Sequence, residues 1–288
     1  MRIRASAHEN EERFLLQLFP KPEESQNADC LPDASRSLLD VGAAGMPSLA
    51  ASGPPHLSVV PVDRLELAFA PSRWAFAETR ATAVAAHFAD RRRRTPELWN
   101  GRILLMNRCR LNGRILEGSF FATDYADFIT WYDWGCPDAS VIVCFAMAAL
   151  RAADGAFLLG VMGPHTAGVG RIYFPSGLPE PDDVSGGTVD LDANVLREVA
   201  EETGLVGADL AVAPSWHAVR SGQHLAMMKV MQSAATADVL RARILRYLAS
   251  EAQPELADIR IVRGPADLVP QMPDYVTAFL AHQWGTRR

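Results

Sequence analysis

Several absences narrow the reading before any motif is considered. Four cysteines, Cys30, Cys109, Cys136 and Cys144, include no Cys-x-x-Cys pair, which argues against a structural zinc site and a disulfide scaffold. Cys144 lies in an apolar run and reads as a buried free thiol. No apolar stretch reaches the roughly 20 residues needed to span a bilayer, and the N-terminus lacks the basic-then-apolar order of a secretory signal. The expectation is a cytoplasmic protein with no membrane partner. Excess positive charge is also missing: 28 Lys and Arg against 34 Asp and Glu leave a net charge of -6, so nothing advertises nucleic acid as a partner. The one basic run, Arg91-Arg92-Arg93-Arg94, follows a helical stretch. It reads either as a cationic last turn offsetting the helix dipole or as a contact for an anion or partner. No internal repeat is visible.

What is present reads as a mixed α/β chain. Residues 1–55 are rich in Ser, Ala, Pro, Gly and Asp and predict a disordered leader with at most one short helix. Residues 56–136 read as an N-terminal α+β extension. They hold an edge strand in "HLSVVPVDRLELAFA", a helix over 72–90, a hairpin turning at Asn112-Gly113, and a short helix carrying Tyr125, Phe128 and Trp131 as core residues. Residues 137–288 read as the main domain. "SVIVCFAMAAL" and "GAFLLGVM" predict a central hairpin, "GRIYFPSG" one further strand, and residues 178–188 a loop rich in Pro, Asp and Gly. A helix follows over 191–203. Further strands are expected at "APSWHAV", "HLAMMKVMQSAA" and "ADIRIVRG", with helices over 237–250 and 275–284. The pattern predicts an α/β sandwich around a mixed sheet.

The helix over 191–203 carries the main chemical signal. Asp190 or Asp192 is its N-cap candidate and Gly204 its terminator. At about 100° per residue, Val195, Leu196, Val199 and Thr203 share one arc, with Glu198, Glu201 and Glu202 on the neighbouring arc and Arg197 beside Glu201. Like charges at these spacings repel. Spacing alone leaves two readings open, a solvated acidic face and a site for Mg²⁺ or Mn²⁺, which favour hard oxygen ligands.

The stretch "REVAEETGL", residues 197–205, resembles the second half of the Nudix box, Arg-Glu-apolar-any-Glu-Glu-any-Gly-apolar, and matches every specified position. The first half departs from that pattern. Five residues separate Gly177 from Asp183, which stands where the family has glutamate, and 13 residues separate Asp183 from Arg197 where the family has seven. "PDDVSGGTVDL" is therefore an enlarged loop that Gly186-Gly187 is able to turn, and Asp183, Asp190 and Asp192 all compete to support Arg197.

The resemblance implies a Nudix-type α/β/α sandwich and hydrolysis, dependent on Mg²⁺ or Mn²⁺, of a nucleoside diphosphate linked to another moiety. It makes Glu198, Glu201 and Glu202 the metal ligands and Arg197 the residue holding a glutamate in place. It also implies a distant general base, for which Glu251 and Glu255 in "SEAQPELAD" are candidates. Gly177 belongs to the expected substrate pocket, with "GLPEP" at its rim. His165 and Arg171, flanking "TAGVG", contact phosphate or base, or else belong to a solvated loop. His217 and His224 bracket a turn and read as structural. The region before the box resembles Nudix relatives that hydrolyse UDP-sugars, while dinucleotides and other nucleotide derivatives stay open. Family members are often dimers, so a homodimer is expected. The alternative is a non-catalytic Nudix-fold module that binds or senses a nucleotide.

Overall fold

Apolar runs bounded by turn residues become strands of two mixed sheets in the computed structural model, which describes residues 57–94, 98, 100–163 and 169–285. The leader expected over 1–55 lies outside the described residues. In the larger sheet, β5 (Val143–Arg151) and β6 (Phe157–Met162) form the expected antiparallel hairpin, and nearly every residue of both is buried. Burial on both faces explains why they read as unbroken apolar runs rather than alternating ones. β11 (Leu210–Ser221) and β12 (His224–Ser233) form a second hairpin, whose β12 runs parallel to β5. β13 (Leu256–Val262) closes one edge on β6 and β1 (Val59–Val62) the other on β11.

The single strand expected over 170–177 is two short ones. β7 (Ile172–Tyr173) pairs with β6 and β8 (Ser176–Gly177) pairs with β5. Pro175 separates them. It has no N–H to give to a ladder, and its carbonyl instead accepts from Ala148 N at 2.8 Å. The pair fills the gap where β5 and β6 part.

The smaller sheet has the order β3 (Arg102–Asn112), β4 (Ile115–Asp124), β2 (Arg64–Phe69), β10 (Thr188–Val189), β9 (Val184–Ser185). Gly113, at φ +59, turns the β3–β4 hairpin as its Asn-Gly pair predicts. The edge strand expected over 56–70 is instead β1 and β2, broken at Asp63 and shared between the two sheets; β2 is an interior strand. The loop expected over 178–188 is ordered as a 3-10 turn, Pro181–Asp183, followed by the β9–β10 hairpin, whose Gly186 and Gly187 both have positive φ. Phe69 N donates to Gly187 O at 2.8 Å. The segment over 184–189 thus extends the smaller sheet.

The helix expected over 72–90 is α1 (Ala75–Thr79) and α2 (Ala81–Arg94), interrupted at Arg80. Arg91 pairs with Asp133 at 2.9 Å and Arg93 with Asp90, while the Arg92 guanidinium lies 5.9 Å from the centre of the Phe88 ring. α3 (Tyr125–Asp133) buries Tyr125, Phe128 and Trp131, and Trp74 packs edge-on against both Phe121 and Trp131. On the larger sheet, α4 (Leu191–Thr203) packs against β5 and β8, and α5 (Ala237–Leu248) against β6 and β13. α6 (Asp274–Gly285) packs against β1 and β11, and its Tyr275 and Phe279 meet Phe145, Phe157 and Phe174. The result is a mixed α/β fold of two mixed sheets with helices packed on them. Among the described residues no helix is long and apolar enough to cross a membrane.

Candidate carboxylate site on helix α4

Helix α4 keeps the bounds that its end signals dictate. Asp190 caps it, accepting from Ala193 N at 2.9 Å, and Gly204 ends it in the left-handed region at φ 68. Its buried arc holds Leu191, Asn194, Val195, Glu198, Val199, Glu202 and Thr203. Leu196, expected on the apolar arc, is 37% exposed. With about 100° per residue, Glu198 and Glu202 sit near the middle of the buried arc rather than at its border; they are 1% and 5% exposed. Two acids thus occupy positions where an ordinary amphipathic helix places leucine.

Each buried acid has a defined neighbour. Glu202 Oε1 accepts from Ser176 N at 3.0 Å, so the first residue of β8, just past the break after β7, anchors one of its oxygens. Glu198 Oε1 lies 2.7 Å from Arg197 Nη1. The same guanidinium lies 3.3 Å from Glu201 Oε2 and, through Nη2, 3.4 Å from Asp183 Oδ2. Asp183 is therefore the acid that supports Arg197. Asp190 is committed to the cap, and Asp192 pairs at 2.6 Å with Lys229, a lysine 3% exposed whose Nζ stands 4.5 Å from the centre of the Trp216 ring. Asp183 Oδ2 also accepts from Glu180 N at 2.9 Å and from buried Asn194 Nδ2 at 3.1 Å.

The electrostatics are lopsided. Burial pushes the carboxyl of Glu198 well above the usual carboxylate range; Arg197 pulls it down, and Glu201, Asp183 and Glu180 push it further up. Burial likewise raises Glu202, reinforced by Glu255 and then Glu198, against the Ser176 hydrogen bond. Glu180 is raised by burial too, with Arg197 opposing. One guanidinium faces four carboxyl groups, those of Glu180, Asp183, Glu198 and Glu201. Such a donor set, all oxygen and with surplus negative charge, fits a hard divalent cation. As the side chains stand, no three His, Cys, Asp or Glu among the described residues converge tightly enough to hold an ion.

The other expected site residues separate into groups. Glu255 is brought to the site, since its charge acts directly on Glu202, and its carbonyl accepts from Gly163 N at 2.8 Å. Glu251 is exposed and its charge acts on Tyr247. Gly177 is buried in β8 opposite Ala146. Arg171 is half-buried with Tyr275, Tyr132 and Tyr173 as electrostatic neighbours. His165 lies outside the described residues. The sequence marks Glu180 only as part of the pocket rim, while Asn194, Ser176 and Lys229 went unread. Only Asn194 left a trace, as a polar residue among apolar ones on α4.

No family model matches the chain, and no curated protein matches it. Among solved structures, the MutT protein from Methanosarcina mazei Go1 is 20% identical over 51% of this chain and 96% of its own, with a TM-score of 0.35. A Nudix hydrolase from M. smegmatis, RenU, is 18% identical over 51% and 88%, with a TM-score of 0.33. The NrtR protein of Shewanella oneidensis, crystallised with a 27mer DNA, is 18% identical over 50% and 61%, with a TM-score of 0.31.

Proposed function

We propose that this chain is a Nudix-type hydrolase, dependent on Mg²⁺ or Mn²⁺, that cleaves the pyrophosphate bond of a nucleoside diphosphate derivative. The observation that carries the reading is the burial of Glu198 and Glu202 at the centre of one helix face, beside a single arginine shared among three acids. Burying two carboxyls in a fold's interior is costly unless a cation or proton compensates. A helix with Leu at both positions would be more stable, so the acids point to function.

Glu198, Glu201 and Glu202 would hold the ion, and such an ion neutralises charge on phosphate oxygens and lowers the pKa of bound water. The chain's own groups do the rest. Ser176 N fixes one oxygen of Glu202, and Arg197, held by Asp183, orients Glu198 and Glu201. Glu255 is preferred to Glu251 as general base, because its charge acts on Glu202 while Glu251 stands in solvent. It accepts the proton of a water whose oxygen attacks phosphorus. The bridging P–O bond breaks, giving a nucleoside monophosphate and the phosphorylated second moiety. The half-buried Glu180 turn forms the rim against which substrate rests, and Gly177, buried in β8, precedes that turn in the chain.

A panel of nucleotide-sugars and dinucleotides, incubated with Mg²⁺ or Mn²⁺ and assayed for released monophosphate, tests the reading. Turnover of at least one compound, lost by orders of magnitude in Glu201→Gln and Glu202→Gln, is expected. Tight nucleotide binding with no turnover of any compound would instead make the chain a non-catalytic sensor.

A further inference from the structure

The smaller sheet has an open end that the carboxylate site does not use. One of its faces is roofed where Phe121 meets Trp74, the residue just before α1, at 5.8 Å. Farther along the same strands the roof stops and leaves a cavity of about 790 Å³ whose lining includes Glu66, Ala68, Arg108, Arg110, Glu117 and Ser119. Register defines its floor: Ala68 pairs with Ser119 and Ser119 with Arg108, while Glu66 pairs with Glu117 and Glu117 with Arg110. The middle of the trough is thus built from small side chains, with both arginines along the β3 edge.

A β-bulge puts those arginines there. Met106 pairs with Phe120, but Arg108 pairs with Ser119, so β3 advances two residues while β4 advances one. Without the extra residue, strict alternation would place Arg108 and Arg110 on the face of Leu104 and Met106, which are fully buried. The bulge turns both arginines into the trough, a common use of bulges beside functional sites. Among the described residues neither arginine makes an ion pair or side-chain hydrogen bond, although Arg110 stands directly across from Glu117. Glu66 is instead paired with Arg64 at 2.6 Å, and Asn112 donates to Glu117 at 3.3 Å.

We propose that this trough is a second binding site, for a small phosphate monoester carrying sugar-like hydroxyl groups. Residues two apart on a strand stand roughly 6.6 Å apart along it, close enough for two guanidinium forks to grip one phosphate. The Ser119 hydroxyl and the carboxylates of Glu66 and Glu117 offer partners for hydroxyls. The same two carboxylates repel an extended polyanion, which selects a small ligand over nucleic acid. The site is independent of the metal chemistry proposed for α4.

Calorimetric titration of ribose 5-phosphate into the full chain, with chelator present to silence the carboxylate site, tests the proposal. Saturable binding is expected, stronger than that of inorganic phosphate, and weakened by about tenfold or more in the Arg108→Gln/Arg110→Gln double variant. Ser119→Glu, which sets a negative charge on the floor directly across from Arg108, should weaken it similarly, while Glu202→Gln should leave it unchanged. Wild-type affinity in both trough variants would overturn the proposal, as would no binding at millimolar ligand. A short DNA duplex that binds more tightly than ribose 5-phosphate, and loses its affinity in the double variant, would also overturn it.

Discussion

Asp183 shows how much of the site hangs on one side chain. Its Oδ2 takes hydrogen bonds from Glu180 N and Asn194 Nδ2 and faces Arg197 Nη2, and the residue is 8% exposed. Asp183→Ala would remove one acceptor from buried Asn194, which keeps Leu178 O at 3.2 Å, and one from Arg197, which keeps Glu198 and Glu201, a loss of about 1–3 kcal/mol. The check is the urea midpoint at constant m-value; a change under about 0.5 kcal/mol would show that Asn194 and Arg197 find other partners. Arg197→Lys makes a different point. The guanidinium reaches Glu198 and Glu201 through one nitrogen and Asp183 through another, a fork that a single ammonium does not reproduce. Turnover should fall about 10- to 100-fold while the urea midpoint moves far less than in Asp183→Ala. At this scale the sequence was legible where the chemistry is local. Arg197 and the three glutamates stand in one contiguous stretch. Glu180 and Asn194 were not legible as site residues, because what engages them is a turn whose approach to α4 no local pattern encodes.

Helix α4 owes its end to Gly204, which meets two demands together. Its φ of +68 disfavours any side chain, and an added Cβ would run into the Tyr247 ring of α5, whose hydroxyl donates to Glu201 O at 2.8 Å. Gly204→Ala should therefore cost more than the roughly 1–2 kcal/mol of a left-handed alanine. Adding Tyr247→Ala should return the part due to the clash and leave the backbone part. A double-mutant cycle read by chemical denaturation should give a coupling of about 1–3 kcal/mol; strict additivity would mean that the ring simply moves aside. The stop at Gly204 and the cap at Asp190 made this helix readable to the residue. The buried arc misled for a physical reason: apolar periodicity finds the face that burial stabilises, and here two acids occupy its centre, which pushed the inferred arc round onto Leu196. Hairpins at Asn112-Gly113 and after Ser221 were equally plain, since tight turns are local. Alternation in β1 and β2 marked extended chain but carried nothing about which sheet each would join. Likewise Gly186-Gly187 announced a turn, whereas the pairing of β10 with β2 depends on a strand more than 100 residues earlier in the chain.

The two sheets are tied together by exchanged segments, with β1 from the N-terminal region completing the larger sheet and β9–β10 from the enlarged loop extending the smaller one. Stability should therefore respond as a unit to a disturbance at the junction, and His224 supplies one. It opens β12, opposite Val143, with its ring 5.8 Å from Tyr132 of the extension and 6.4 Å from Phe145 of the central sheet. Burial lowers its pKa to about 4, with a Ser221 backbone hydrogen bond and Asp274 raising it and Arg220 lowering it. A histidine whose folded pKa lies below its unfolded value near 6.5 stabilises the fold above that value and loses the contribution as pH falls from about 6.5 towards 4. Linkage puts the loss between pH 8 and pH 5 at about 2 kcal/mol. The raised carboxyls of Glu198 and Glu180 act in the opposite sense in metal-free protein, favouring the folded state as they take up protons. Total stability alone would mix the two effects. His224→Gln separates them, because the carboxyl contributions are common to both chains and cancel in the difference. With chelator present, the stability advantage of the natural chain over the variant should shrink by about 2 kcal/mol between pH 8 and pH 5. An advantage that stays constant across that range would mean that His224 is solvated enough to titrate as it does in the unfolded chain.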